Sequence, residues 1–349
     1  MRSFASDNNS GVHPLVMDAI IKANDNHAVG YGDDPWTEAA TARLREVFGP
    51  EASPFFVFNG TGANSVALQA LTRPYNSILC AETAHINVDE CGAPCRMSGC
   101  AIVPIPTPDG KLTPELIAPR LTNFGVCHHS QPKAVYISQV SELGTVYTLA
   151  ETRAIADLLH AHGMYLHMDG ARLANACAYL GCTPREATVE AGVDILSFGG
   201  TKNGMMQGEA VIAFRPELAE ELPYIRKQSA QLASKLRYLS AQFIPYLKDD
   251  LWLANARHAN AIAKRLAEAL TRYPGIRLTQ AVQSNQIFVI LPADVQEALL
   301  RDYFFYMWNE AAHEARFVTS WDTTEEDVAR LLARVDEIYR LRPEKGGAA

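Results

Sequence analysis

The chain contains no run of eighteen apolar residues, so no segment is long enough to cross a bilayer as a helix. Its opening, MRSFASDNNSGVHP, lacks the apolar stretch of a secretory signal, and the expectation is a cytoplasmic protein. Cysteine is sparse and odd in number. Cys80, Cys91, Cys95, Cys100, Cys127, Cys177 and Cys182 are the only seven in 349 residues, which suits reduced thiols rather than a disulfide scaffold. Repeats, low-complexity tracts and long Gly/Ser linkers are absent as well. Basic residues are in deficit: 31 Lys and Arg against 39 Asp and Glu give a formal charge of −8, which opposes a general affinity for nucleic acid or anionic membranes. What remains, 48% hydrophobic and 20% charged, is an ordinary globular composition. A chain of this length buries roughly 75% of the surface its unfolded form exposes, in one large core or two domains. Its partners are expected to be small molecules and proteins.

Organisation is clearest between residues 134 and 169. AVYISQV (134–140) is short, β-branched and apolar, as a buried parallel strand requires. Thr148 and Glu151 form a capping box, Ile155, Leu158 and Leu159 form an apolar stripe, and Gly163 supplies a stop before the next strand, MYLHMD (164–169). FFVF (55–58), DILSF (194–198) and AVIAF (210–214) alternate with helical patterns, predicting an α/β architecture whose ligands bind at the strands' carboxyl ends. From about Leu251 to Tyr273 the pattern is a long helix. QIFVIL (286–291), RFVTSW and a terminal helix striped by Val328, Leu331, Leu332, Val335 and Ile338 follow, predicting a small α+β domain that begins near residue 246.

Three segments could carry chemistry. In FNGTGAN, residues 58–64, Gly60, Thr61 and Gly62 open a helix, where free N–H groups and the helix dipole favour a phosphate; the plainer account is a tight strand-to-helix turn. The segment lacks both the GxGxxG and Walker patterns. HMDGARLAN puts Asp169 and Arg172 at a strand's carboxyl end, where a carboxylate leaving an apolar strand needs a partner; the plainer account is a structural Asp that caps the next helix. In SFGGTKNGMMQGE, Lys202 stands in a glycine-flanked loop, where lost solvation lowers an ammonium pKa and frees the amine for Schiff-base formation; alone, such a lysine is ordinarily just solvated. Together, a phosphate turn, an acid and a lysine 33 residues further on meet the needs of pyridoxal phosphate: an anchor, a partner for the pyridine nitrogen, and an amine for the aldehyde. A metal or redox module on Cys91, Cys95 and Cys100 with His85 is the rival from another class. No second CxxC pair supports it, and no metal is expected.

At these motifs the chain closely resembles the low-specificity L-threonine aldolases (L-allo-threonine aldolases) of the fold type I pyridoxal-phosphate enzymes. FASDNNSG, YGDDPWT (31–37), FNGTGAN, ETAHINVDECGAP (82–94), LHMDGARLANA, FGGTKNGM, QLASKLR (231–237) and ARFVTSWDT (315–323) carry the resemblance in order over more than three hundred residues. It implies an aspartate aminotransferase-like large domain, residues 1–245 with the N-terminal segment, built on a mostly parallel seven-stranded sheet. A small α+β domain, 246–349, follows, and dimers pair into a homotetramer with shared active sites. The implied reaction is reversible retro-aldol cleavage of L-threonine, L-allo-threonine and other β-hydroxy-α-amino acids to glycine and an aldehyde. Another fold type I activity, β-elimination or transamination, is the alternative.

By the same resemblance Lys202 is the Schiff-base lysine and Asp169 the partner of the pyridine nitrogen. Gly60, Thr61 and Gly62 cradle the phosphate, with Arg237 reaching it from the neighbouring subunit. Ser6, Arg172 and Arg316 hold the α-carboxylate, a task that suits the guanidinium fork. His85 stacks on the cofactor ring and, with His128 or a water, is a candidate acid/base; Tyr31 reaches the substrate side across the dimer. Four residues after His85, where some relatives carry tyrosine, this chain has Asp89.

Overall fold

The structure is a computed structural model that describes residues 2–342. The main sheet comprises β1 (Ser53–Val57), β2 (Asn76–Ala81), β3 (Ala101–Ile105), β4 (Gln131–Ser138), β5 (Tyr165–Gly170), β6 (Ile195–Gly199) and β7 (Glu209–Ala213), in the order β1-β7-β6-β5-β4-β2-β3. Only β7 runs against its neighbours; the pairs β2·β3, β2·β4, β4·β5 and β5·β6 are parallel. Every residue of β2, β6 and β7 is buried, which is why these strands read as unbroken apolar runs or not at all.

The β4–helix–β5 unit shows how local sequence sets this frame. Thr148 and Glu151 form the reciprocal capping box that starts the Leu149–Ala161 helix. Gly163, with φ +65°, ends it in a conformation that costs L-residues strain, and the chain turns into β5. Ile155, Ala156 and Leu159 are fully buried in the main core. The Ile155 and Leu159 side chains each contribute roughly 1.5–3 kcal/mol.

A second sheet, β8 (Arg277–Leu278), β9 (Gln286–Ile290), β10 (Tyr306–Asn309) and β11 (Glu314–Val318), is antiparallel in the order β10-β11-β9-β8. The sequence pattern revealed only two of these strands. β8 and β10 are short and largely exposed, so they lack the apolar alternation that marks a half-buried strand. A separate hydrophobic core lies between this sheet and the Leu251–Leu270, Ala293–Asp302 and Glu325–Leu341 helices.

Two features tie the cores together. The Leu251–Leu270 helix gives Trp252, Leu253 and Ala256 to the first core and Ile262, Ala263, Leu266, Ala267 and Leu270 to the second. At the other end of the chain, Phe4 packs in the second core, its N–H donating to Phe304 O (2.9 Å) and its carbonyl accepting from Val318 N–H (2.8 Å). That docking carries Ser6 and Asp7 to the carboxyl edge of the main sheet, beside Arg172.

Candidate active site

A cavity of about 500 Å³ opens where the carboxyl ends of the main-sheet strands face β10 and β11. Ser6, Gly60, His85, Asp169, Arg172, Lys202 and Arg316 all line it. Seven of the twelve residues singled out from the sequence thus converge on one space, although up to 310 positions separate them.

Asp169 ends β5 with its carboxylate buried. Oδ2 accepts from Tyr136 Oη (2.6 Å) and Asn64 Nδ2 (2.9 Å), and Oδ1 accepts from the Ala171 N–H (2.9 Å). Burial pushes its pKa up, but these bonds and the nearby Lys202 charge outweigh it and hold the group below the usual carboxylate range. Lys202 follows β6 in a one-turn 3₁₀ helix, between Gly200 and Gly204. Desolvation, reinforced by Arg172, lowers its pKa against the pull of Asp7, Asp169 and Glu209. Among the described residues no protein acceptor takes its Nζ.

The two arginines differ. Arg172 is committed: Nε and Nη2 donate to the two oxygens of buried Asp7 at 2.7 and 2.9 Å, so the fork expected to meet a substrate carboxylate already holds one. Arg316, on β11, has no acidic partner. Its guanidinium lies over the Tyr306 and Trp308 rings at 5.5 and 5.3 Å, one long bond runs to Ala5 O (3.4 Å), and Nε is buried without a partner. Burial and the neighbouring Arg172 lower its pKa, the mark of a cation still awaiting an anion. Ser6 Oγ accepts the Asn8 N–H at 3.1 Å and retains its own proton for a further acceptor.

At the glycine turn, the Gly60–Leu71 helix is capped by Asn59, whose Oδ1 accepts the Gly62 N–H at 2.8 Å. Gly62 N–H is therefore taken, and its glycine has a packing reason: a Cβ there would stand 2.4 Å from Gln231. The Gly60 and Thr61 N–H groups have no protein acceptor among the described residues, and a Cβ built on Gly60 meets nothing within 4 Å. Only Gly60 of the three lines the cavity.

Tyr31, His128 and Arg237 do not line it. His128 sits on an exposed loop. Tyr31 is 54% exposed at φ +62°, and its N–H donates to Ser234 O (2.9 Å), which places it beside the segment carrying Arg237. Arg237 Nη1 in turn donates to Asn26 O at 3.1 Å. Two residues expected to act across a subunit boundary therefore share one surface.

Residue patterns alone did not reveal Asn64, Glu90, Tyr136, Glu142 or Asp7. Glu90 Oε1 accepts from His85 Nδ1 and from Asn64 Nδ2, both at 2.7 Å; Glu142 Oε1 accepts the His85 N–H (2.8 Å) and the Ser138 hydroxyl (2.6 Å). Asn64 falls inside the glycine-turn motif, one turn into its helix, and that position was the one available signal.

A mostly parallel seven-stranded sheet with one reversed strand, a lysine, an acid and a helix N-terminus at its carboxyl edge, and a small antiparallel sheet closing the cavity define a fold type I pyridoxal-phosphate enzyme. The model of the beta-eliminating lyase family matches residues 3–293. The chain is 46% identical over 335 residues to a low specificity L-threonine aldolase of Pseudomonas aeruginosa strain PAO1, covering 95% of this chain and 96% of that one. It is 44% identical to the enzyme of the same description from Pseudomonas sp. strain NCIMB 10558, covering 96% and 97%. The solved structure of a Leishmania major threonine aldolase superposes with a TM-score of 0.91 at 32% identity over 98% of this chain and 99% of that one. The chain belongs to the beta-eliminating lyase family and, within it, to the low-specificity L-threonine aldolases.

The residues present fit the cofactor of this class. Free helix N-terminal N–H groups beside open space suit a phosphate, an anionic buried carboxylate suits a protonated ring nitrogen, and an unpaired lysine amine suits an aldehyde. Among the described residues no cluster of His, Cys, Asp and Glu is suited to a metal ion.

Proposed function

We propose that this chain cleaves L-threonine, L-allo-threonine and related β-hydroxy-α-amino acids between Cα and Cβ, releasing glycine and an aldehyde, with pyridoxal phosphate held by Lys202. The observation that carries this reading is the pairing, in one cavity, of a free lysine amine with a buried guanidinium that has no anion of its own. When bound, the cofactor supplies the aldehyde that takes up the substrate amine and the conjugated ring that accepts the electron pair of the broken bond.

Each protein group then has a defined task. Gly60 and Thr61, with Gly62 closing the turn, receive the phosphate. Asp169, kept anionic by Tyr136 and Asn64, favours the protonated pyridine nitrogen. Arg316 holds the substrate α-carboxylate, with the Ser6 hydroxyl and the uncommitted Nη1 of Arg172 beside it. That grip would set the rotation about Cα and so decide which of its bonds is broken. His85, with Nδ1 tied to Glu90, presents Nε2 as the group that takes the β-hydroxyl proton, directly or through a water. His128, on an exposed loop outside this chain's cavity, is assigned no part in it.

Tyr31 and Arg237 support a shared site: they lie on neighbouring segments, joined by the Tyr31 N–H to Ser234 O bond, outside this chain's own cavity. We assign them to a partner's cavity in a homotetramer, which works in the cytoplasm. All seven cysteines are free, and no helix of the described residues is long and apolar enough to cross a membrane.

The test is product identity. Acetaldehyde and glycine in equal amounts from L-threonine and L-allo-threonine, none from D-threonine, and loss of both in Lys202→Ala are expected. Release of 2-oxobutyrate and ammonia instead would mark β-elimination, and amino transfer that depends on a keto acid would mark transamination.

A further inference from the structure

Glu90 enters the account so far only as the partner of His85 Nδ1, yet its side chain is completely buried. A buried carboxylate is costly unless hydrogen bonds and a counter-charge answer it. Oε1 receives His85 Nδ1 and Asn64 Nδ2, each at 2.7 Å, and Oε2 has no partner. Of the two donors only His85 can carry charge. The Asn64 amide has two hydrogens: one goes to Glu90, the other to Asp169 Oδ2 at 2.9 Å, where Tyr136 Oη also donates at 2.6 Å. One neutral amide therefore donates to both carboxylates. Each then looks outward for a cation, Glu90 to His85 and Asp169 into the cavity.

We propose that Glu90, linked to Asp169 through Asn64, is a positioning residue that fixes His85 in the Nδ1–H tautomer, leaves Nε2 as the nitrogen open to the cavity, and sets the pH at which that nitrogen becomes free to accept a proton. The link to catalysis rests on the function proposed above; the histidine–carboxylate pair itself does not. The other charges facing His85 are Asp169, which adds to the effect of Glu90, and Lys202, which opposes it. Asp89 lies at the end of the same short helix, and Glu142 engages only the His85 backbone N–H. The bond to Glu90 leads, burial works against it, and the net is an imidazole pKa above that of an ordinary histidine.

The sign follows. Removing the Glu90 charge lowers the His85 pKa, so the neutral imidazole persists to lower pH. In the cofactor-loaded protein, the pH dependence of His85 carbethoxylation by diethyl pyrocarbonate, read by peptide mass spectrometry, reports that equilibrium without reference to turnover. Glu90→Gln, which preserves the hydrogen-bond geometry, is expected to move the midpoint to lower pH and to shift the acid limb of kcat/KM the same way. Glu90→Asp, which keeps the charge but withdraws it, should fall between. An unchanged midpoint in folded, cofactor-loaded Glu90→Gln overturns the proposal. A shifted midpoint with an unmoved rate profile upholds the pair and instead removes His85 as the acceptor of the β-hydroxyl proton.

Discussion

Arg172 and Arg316 line the same cavity, but only one has its charge answered within the chain, and substitution should separate them. Arg316→Leu is expected to lower kcat/KM by about 10- to 100-fold through loss of a charged hydrogen bond to the substrate, with the cofactor absorbance and unfolding midpoint little changed. Arg172→Leu strands buried Asp7 without its counter-ion and is expected to destabilise the fold by about 3–5 kcal/mol. Steady-state kinetics beside denaturant titration distinguish the two, and a stable Arg172→Leu or an unaffected Arg316→Leu would contradict the assignment. Lys202 and Asp169 were legible in the sequence because glycines and strand ends frame them. Arg316 was not: in ARFVTSWDT it reads as a solvated strand arginine, and only the family resemblance marked it. Asn64 and Tyr136 were hidden because their shared partner Asp169 lies 105 and 33 positions away, beyond any local pattern, and Glu90, although only five residues from His85, stands in no motif that marks it.

Single elements carry their own tests. Thr148→Ala removes one half of the capping box and is expected to cost about 1 kcal/mol while leaving kcat unchanged, since the Leu149–Ala161 helix contributes no residue to the cavity. No stability change in thermal melts would show that the tertiary contacts of Glu151 suffice. On β5, His167 is fully buried with Nε2 against Ser197 Oγ of β6 at 2.9 Å, and burial pulls its pKa down to about 4. Unfolded histidine titrates near 6.5. Between those values the unfolded chain binds a proton that the folded chain refuses, so this residue makes stability fall as pH drops through that window, by on the order of 3 kcal/mol. Urea midpoints at neutral and mildly acid pH should show a steeper acid loss in the wild type than in His167→Gln; parallel curves would deny the effect. The same elements show where sequence reading stops. β4 and β5 are apolar and bounded by a cap and a glycine, and both were found. β3, at the sheet's edge, contains Pro104 and exposed residues, and β2 opens on Asn76 and Ser77; neither carries a strand signal, although an edge position tolerates the proline.

The whole molecule is built so that its site needs both sheets and the N-terminal segment: the main sheet supplies Lys202 and Asp169, the second sheet Arg316, and the docked chain start Ser6 and Asp7. Tyr31 and Arg237 lie outside this cavity, on segments joined by the Tyr31–Ser234 backbone bond, and in the proposed oligomer they would complete a partner's site. Mixing inactive Lys202→Ala with a weakened Arg237→Ala protein and allowing subunits to exchange is expected to raise activity above the sum of the two parents, because some sites then receive a wild-type lysine and a wild-type arginine from different chains. Strict additivity would assign Arg237 to its own chain alone. The central claim, that the cofactor resides on Lys202 in this cavity, is tested most directly by reducing the loaded protein with borohydride and mapping the modified peptide. The expected result is a single stoichiometric pyridoxyl adduct on the peptide containing Lys202. An adduct on another lysine, or none in a protein that still cleaves threonine, would contradict it.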